Sequence, residues 1–167
     1  MSDLYWIDGP WPGRLAITPR PRGGDWLSDD LRNLHDAGID SVVSLLTKAE
    51  ESEFALRSEE ALAAASGMRF YSLPIADRSV PESMHEVSDT LLRLEGELAN
   101  GQNVAFHCRQ SIGRAPMIAA CVLALTGVDV QEAFQRISTA RGIEVPETAE
   151  QADWAERFVR ESVPHPR

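Results

Sequence analysis

Apolar positions along this chain switch between two periods. Short runs that alternate or are wholly apolar, residues 4–7, 14–18, 42–46, 69–75 and 104–106, read as strands. The segments between them carry helix signals. Ser28 caps a helix that reaches His35, with Asp29 and Asp30 in its first turn and Gly38 just past its end. An Ala- and Glu-rich helix spans 50–66 and stops at Gly67. Pro81 opens a long helix to about Ala99, closed by Asn100 and Gly101. After the strand 104–106 comes an apolar helix from Ala115, and two more helices follow over 130–140 and 148–161. Strands that alternate with helices predict an α/β domain whose central, largely parallel sheet of four to five strands is flanked by helices. The loops 19–24 and 76–80 carry turn residues rather than a period.

Composition narrows the possibilities. A chain of 167 residues with 43% hydrophobic positions can bury the core of one domain, so 1–167 reads as a single unit with a frayed end at 164–167. The apolar stretch 115–125 is about half the roughly 20 residues that a bilayer crossing needs. Residues 1–10 include two acids and no base, unlike a secretory signal. Two cysteines make no disulfide framework and no metal-ligand spacing, so a cytoplasmic setting is expected, without cofactor or metal. A net charge of -10 speaks against nucleic acid or an anionic membrane as partner. An anionic substrate can still be held by one concentrated positive site.

Such a site is written between the strand 104–106 and the helix from Ala115, as His107-Cys108-Arg109-Gln110-Ser111-Ile112-Gly113-Arg114. A strand, a tight glycine-containing loop and a helix start together aim backbone N–H groups at an anion. Cys108 stands at the mouth of that loop and Arg114 at its far end. The helix terminus and loop amides favour a thiolate, the nucleophilic form. Arg114 offers a planar fork of donors for two phosphate oxygens, while Arg109, Gln110, Ser111, Ile112 and Gly113 form the cradle. Cys-x5-Arg alone is a weak signal. The His before the Cys, the Gly before the Arg and the placement between strand and helix make it specific.

These residues resemble the His-Cys-x5-Arg signature of the protein tyrosine phosphatase superfamily, and the order of elements resembles its small dual-specificity branch over residues 14–158. Low-molecular-weight phosphatases and arsenate reductases carry their signature near the N-terminus, and rhodaneses lack the spacing. The resemblance implies hydrolysis of a phosphomonoester, on phosphotyrosine or on phosphoserine and phosphothreonine of proteins, through a phosphocysteine. It also implies an Asp from a movable loop that protonates the leaving group, and Asp77 stands after a predicted strand in the right place. The rival readings are a phosphoinositide or nucleotide phosphatase, and a phosphate-binding module without turnover.

Other residues keep two readings each. His107 supports the loop from behind or is a satisfied core histidine. Arg109 adds charge at the pocket rim or is solvated. Gln151 orients the hydrolytic water, as in similar proteins, or closes a capping box with Thr148. Cys121 reads as core, and His35 and His85 as surface residues. Two positions depart from the family pattern: Ser111 replaces a common glycine, and Ala115 replaces a Ser or Thr whose hydroxyl helps the sulfur leave. Ser111 or a water could take over that role.

Overall fold

The computed structural model describes residues 4–162, so the expected fraying at 164–167 lies outside the described residues. Strands β1 (Tyr5–Ile7), β2 (Leu15–Ile17), β3 (Ser41–Ser44), β4 (Arg69–Ser72) and β5 (Val104–His107) form one sheet in the order β1-β2-β5-β3-β4. β1 pairs antiparallel with β2, and the other pairings are parallel. The sheet is thus mixed and largely parallel, as the alternation of strands and helices predicts. Among the described residues seven helices flank it: α1 (Leu27–Asp36), α2 (Lys48–Glu53), α3 (Glu59–Ala65), α4 (Met84–Ala99), α5 (Arg114–Ala124), α6 (Val130–Arg141) and α7 (Ala149–Ser162). None of these is long and apolar enough to cross a membrane.

The period of two sorts the strand side chains into two cores. Leu15, Ile17, Val43, Val104 and Phe106 face α4 to α7, whereas Ala16, Val42 and Ala105 face α1 and α3. Helix α5 is buried along its whole length, which explains why it reads as apolar all round. Cys121 lies within it, and burial pushes its thiol up, so it behaves as a small core residue. Because β2, β3, β4 and β5 run parallel, the segments that follow them all leave from one edge of the sheet, where ligands bind in folds of this kind.

Four helix boundaries differ from the sequence reading. The expected helix 50–66 is two helices, because Ala55 adopts a left-handed φ of 56° and turns Leu56 into the core. Helix α2 starts earlier, at Lys48, where Thr47 and Glu50 close a capping box. Helix α4 begins at Met84 rather than Pro81, because the Ser83 hydroxyl accepts from the Glu86 N–H at 3.2 Å and supplies the cap. Ser28 caps nothing. A 3-10 turn over Gly24–Trp26 runs straight into α1, and Asp30 turns instead to Arg22, accepting from its backbone N–H at 2.8 Å and its guanidinium at 2.7 Å.

Candidate active site

The loop after β5 bends back on itself and feeds α5, with Gly113 at the helix cap. Ser111 takes a left-handed φ of 60°, a conformation that costs a non-glycine residue roughly 1–2 kcal/mol. That cost explains why glycine is the common residue there. A hydrogen bond offsets part of it: the buried Ser111 hydroxyl donates to the Thr18 carbonyl at 2.8 Å. Its single proton is therefore engaged and is not directed at the sulfur of Cys108.

Two arginines from outside the loop hold its carbonyls. Arg20 donates to the Arg109 carbonyl at 2.9 Å, and Arg141 donates to the Gln110 and Ser111 carbonyls at 3.1 and 3.2 Å. Three consecutive peptide groups are oriented in this way. Neither arginine stood out in the sequence, since a guanidinium on a distant backbone carbonyl leaves no local pattern.

Cys108, 2% exposed, lines a cavity of about 190 Å³ together with Arg114, Asp77, Gln110, Ile112 and Gly113. Arg114 is 1% exposed, and Glu50 of α2 meets its guanidinium in a fork, 2.6 Å from Nη1 and 2.8 Å from Nη2. Nη1 also donates to the Ile75 carbonyl at 2.6 Å, and Nη2 to Asp77 Oδ1 at 3.1 Å. Burial alone would lower the Arg114 pKa. The hydrogen bond to Glu50 and the electrostatic pull of Cys108, Glu50 and Asp77 outweigh it and raise it. For Glu50, burial works to raise the pKa, but the hydrogen bonds from Arg114 and Thr47 win and hold it at about 2.

Asp77 is half-exposed, with 46% of its side chain accessible, on a turn after β4 where Arg78 adopts a left-handed φ of 60°. Arg78 and Glu147 line the cavity rim and pair at 3.0 Å. Gln151 is fully buried and closes the capping box with Thr148, its Oε1 accepting from the Thr148 N–H and its own N–H reaching the Thr148 hydroxyl, both at 3.2 Å. Its amide does a second thing, donating to the Ser79 carbonyl at 3.1 Å and packing over Gly113, where a Cβ would come within 3.0 Å. The cap and a tie between the Asp77 turn and the Cys108 loop are thus one residue.

His107 is buried behind the loop, its Nε2 2.6 Å from Glu59 Oε2, with both side chains at most 2% exposed. Arg109 does not line the cavity. Its guanidinium pairs with Glu53 at 2.8 Å and lies over Phe54, which accounts for its charge without a substrate. Ala115 is fully buried in the first turn of α5, next to Arg114. His35 and His85 are on the surface. Glu50 and Glu59 were not singled out in the sequence. Thr47-x-x-Glu50 is legible as a capping box, but its second partner, Arg114, is brought by the fold; Glu59 carries no local signal.

The family described as "Polymorphic toxin system, DSP-PTPase phosphatase" matches residues 18–128, which include Asp77, Cys108 and Arg114. The chain belongs to this DSP-PTPase phosphatase family. Cyclin-dependent kinase inhibitor 3 of Sus scrofa is similar at 25% identity over 134 residues, covering 79% of this chain and 63% of that protein. The chain thus spans less than two thirds of the length of the curated relatives it matches. Kinase associated phosphatase, solved with its catalytic-site cysteine replaced by serine, superposes with a TM-score of 0.87 at 20% identity, covering 98% of this chain and 97% of the other. PTPMT1, solved in complex with PI(5)P, gives 0.72 at 16% identity over 93% and 96%. These likenesses of structure establish the fold shared by DSP-PTPase phosphatases.

Proposed function

We propose that the protein hydrolyses phosphomonoesters through a phosphocysteine on Cys108, and that its substrates are phosphorylated side chains of proteins. The observation that carries this reading is the convergence of Cys108, Arg114 and Asp77 on one small cavity at the start of α5. Arg114 Nε makes no hydrogen bond among the described residues, while Nη2 holds Asp77. An entering phosphate takes Nε and Nη2 with two of its oxygens and displaces the Asp77 carboxyl toward the leaving group. The loop amides, oriented by the hold of Arg20 and Arg141 on their carbonyls, bind the remaining oxygens.

In the first displacement the Cys108 thiolate attacks phosphorus, the ester P–O bond breaks, and Asp77 gives its proton to the departing oxygen. In the second, water attacks phosphorus while Asp77 takes its proton, the S–P bond breaks, and thiolate and inorganic phosphate are released. No cofactor or metal enters either step. Glu50 keeps the clamp charged and fixed, and Gln151 holds the Asp77 turn against the loop.

A second reading is phosphoinositide hydrolysis, favoured by the likeness in fold to PTPMT1. Turnover of a generic aryl phosphate, with chelator present, by the wild type and by Cys108→Ser tests the reaction itself. Activity in the wild type alone supports it. Persistent activity in the serine variant, or dependence on added metal, contradicts it, and absence of turnover in both points to a binding module.

A further inference from the structure

We propose that the site takes singly phosphorylated protein segments with basic residues beside the phosphorylated one, seated in the groove between α6 and α7; this deepens the phosphatase reading and rests on it. The arginines around the cavity carry the first half of the argument. Arg114 is engaged by Glu50 and Asp77, Arg109 by Glu53, and Arg78 by Glu147. The two without a carboxylate, Arg20 and Arg141, are turned onto loop carbonyls, lie over Phe54 and Tyr5, and do not line the cavity. Apart from the clamp, the rim therefore presents an acid, Asp77, and an internally neutralised pair. A second phosphate on the same ligand would have to break an ion pair at the rim, or draw Arg20 or Arg141 off the loop carbonyls they hold, to find a cation.

The groove carries the second half. A depression of about 580 Å³ adjoins the reaction cavity and shares Ile112 and Glu147 with it. Phe134, Val145 and Pro146 give it an apolar floor. Its charged groups are Glu144 and Glu147, and neither lysine nor arginine lines it. Glu144 is exposed and has no ion-pair partner among the described residues. An apolar floor that begins at the phosphate cavity suits an extended peptide continuing from a phosphorylated residue. The unpaired Glu144 complements a lysine or arginine on it, whereas a polyanionic headgroup meets that carboxylate with no free cation beside it.

The test compares kcat/KM on two phosphopeptides of equal length, one with arginines flanking the phosphorylated residue and one with glutamates, and on a phosphoinositide in mixed micelles. Each rate is normalised to aryl phosphate turnover by the same protein. The expected preference for the basic peptide is about tenfold, shrinking at high salt. Glu144→Lys should cut that ratio several-fold, and Glu144→Gln should cut it less. Equal rates, preference for the acidic peptide, faster turnover of the phosphoinositide, or a ratio indifferent to Glu144 would overturn the proposal. Failure of the wild type on the aryl phosphate would defeat the phosphatase reading itself, and this proposal with it.

Discussion

Replacing Glu50 with Gln removes the charge opposite Arg114 while keeping the shape of the side chain. Glu50 normally meets both Nη atoms of a guanidinium that is 1% exposed, and the same carboxylate accepts from the Thr47 N–H at 3.0 Å. Its pKa falls from an ordinary 4.5 to about 2, which at 1.36 kcal/mol per unit is about 3 kcal/mol of preference for the charged, folded state. Solvent reaching the edge of the pair trims this to about 2 kcal/mol. For a chain of this size that is about 4–8 °C in Tm at neutral pH. The pH dependence has a definite sign. A depressed carboxylate contributes fully above its unfolded value of 4.5 and loses its contribution as pH falls through about 2. The gap in Tm between wild type and Glu50→Gln, followed by circular dichroism, should be widest near neutrality and narrow steadily below about pH 4.5. A gap under about 1 °C at neutral pH, or one that stays constant into acid, would refute this account of the clamp.

Asp77→Asn should slow turnover of a phosphopeptide by about 10²–10⁴-fold, and that of an activated aryl phosphate much less, without weakening the binding of inorganic phosphate; equal slowing of both substrates would remove Asp77 as the acid. Because the Ser111 hydroxyl is engaged by Thr18 and Ala115 offers no donor, breakdown of the phosphocysteine should be slow, and rapid mixing with an activated aryl phosphate should show a burst near one equivalent. Ala115→Ser should shrink that burst and raise the steady-state rate by about one to two powers of ten; an unchanged rate would show that another donor already assists the sulfur. Arg141→Ala should raise KM more than it lowers kcat, with partial recovery in Arg141→Lys; a kcat effect without a KM effect would contradict its role in orienting the loop.

Legibility in the sequence followed the range of the interactions. The apolar runs Leu15 to Ile17 and Val104 to Phe106 are local, and they located strands and the parallel edge; which side chains face which helices was settled by the fold. The signature loop was legible for the same reason, since Cys108 and Arg114 lie in one turn of chain. Asp77 could be placed because it follows a strand at the same edge. The helix break at Ala55 was not legible, because the Ala- and Glu-rich composition favours continuity and only the burial of Leu56 opposes it. That break sets Glu50 under Arg114 and Glu59 under His107, so the missed boundary and the missed carboxylates have one cause. Gln151 combines the cap that Thr148-x-x-Gln151 announces with a bond to the Asp77 turn that no sequence pattern announces.

The central claim is that Cys108 carries the phosphoryl group between the two displacements. Its most direct test is rapid chemical quench of Asp77→Asn and wild type during turnover of an activated aryl phosphate, followed by peptide mass spectrometry. The account predicts one phosphoryl group on Cys108, absent from Cys108→Ser and accumulating before the steady state. A phosphoryl group on another residue, or steady turnover with none on Cys108 at any time, would contradict it.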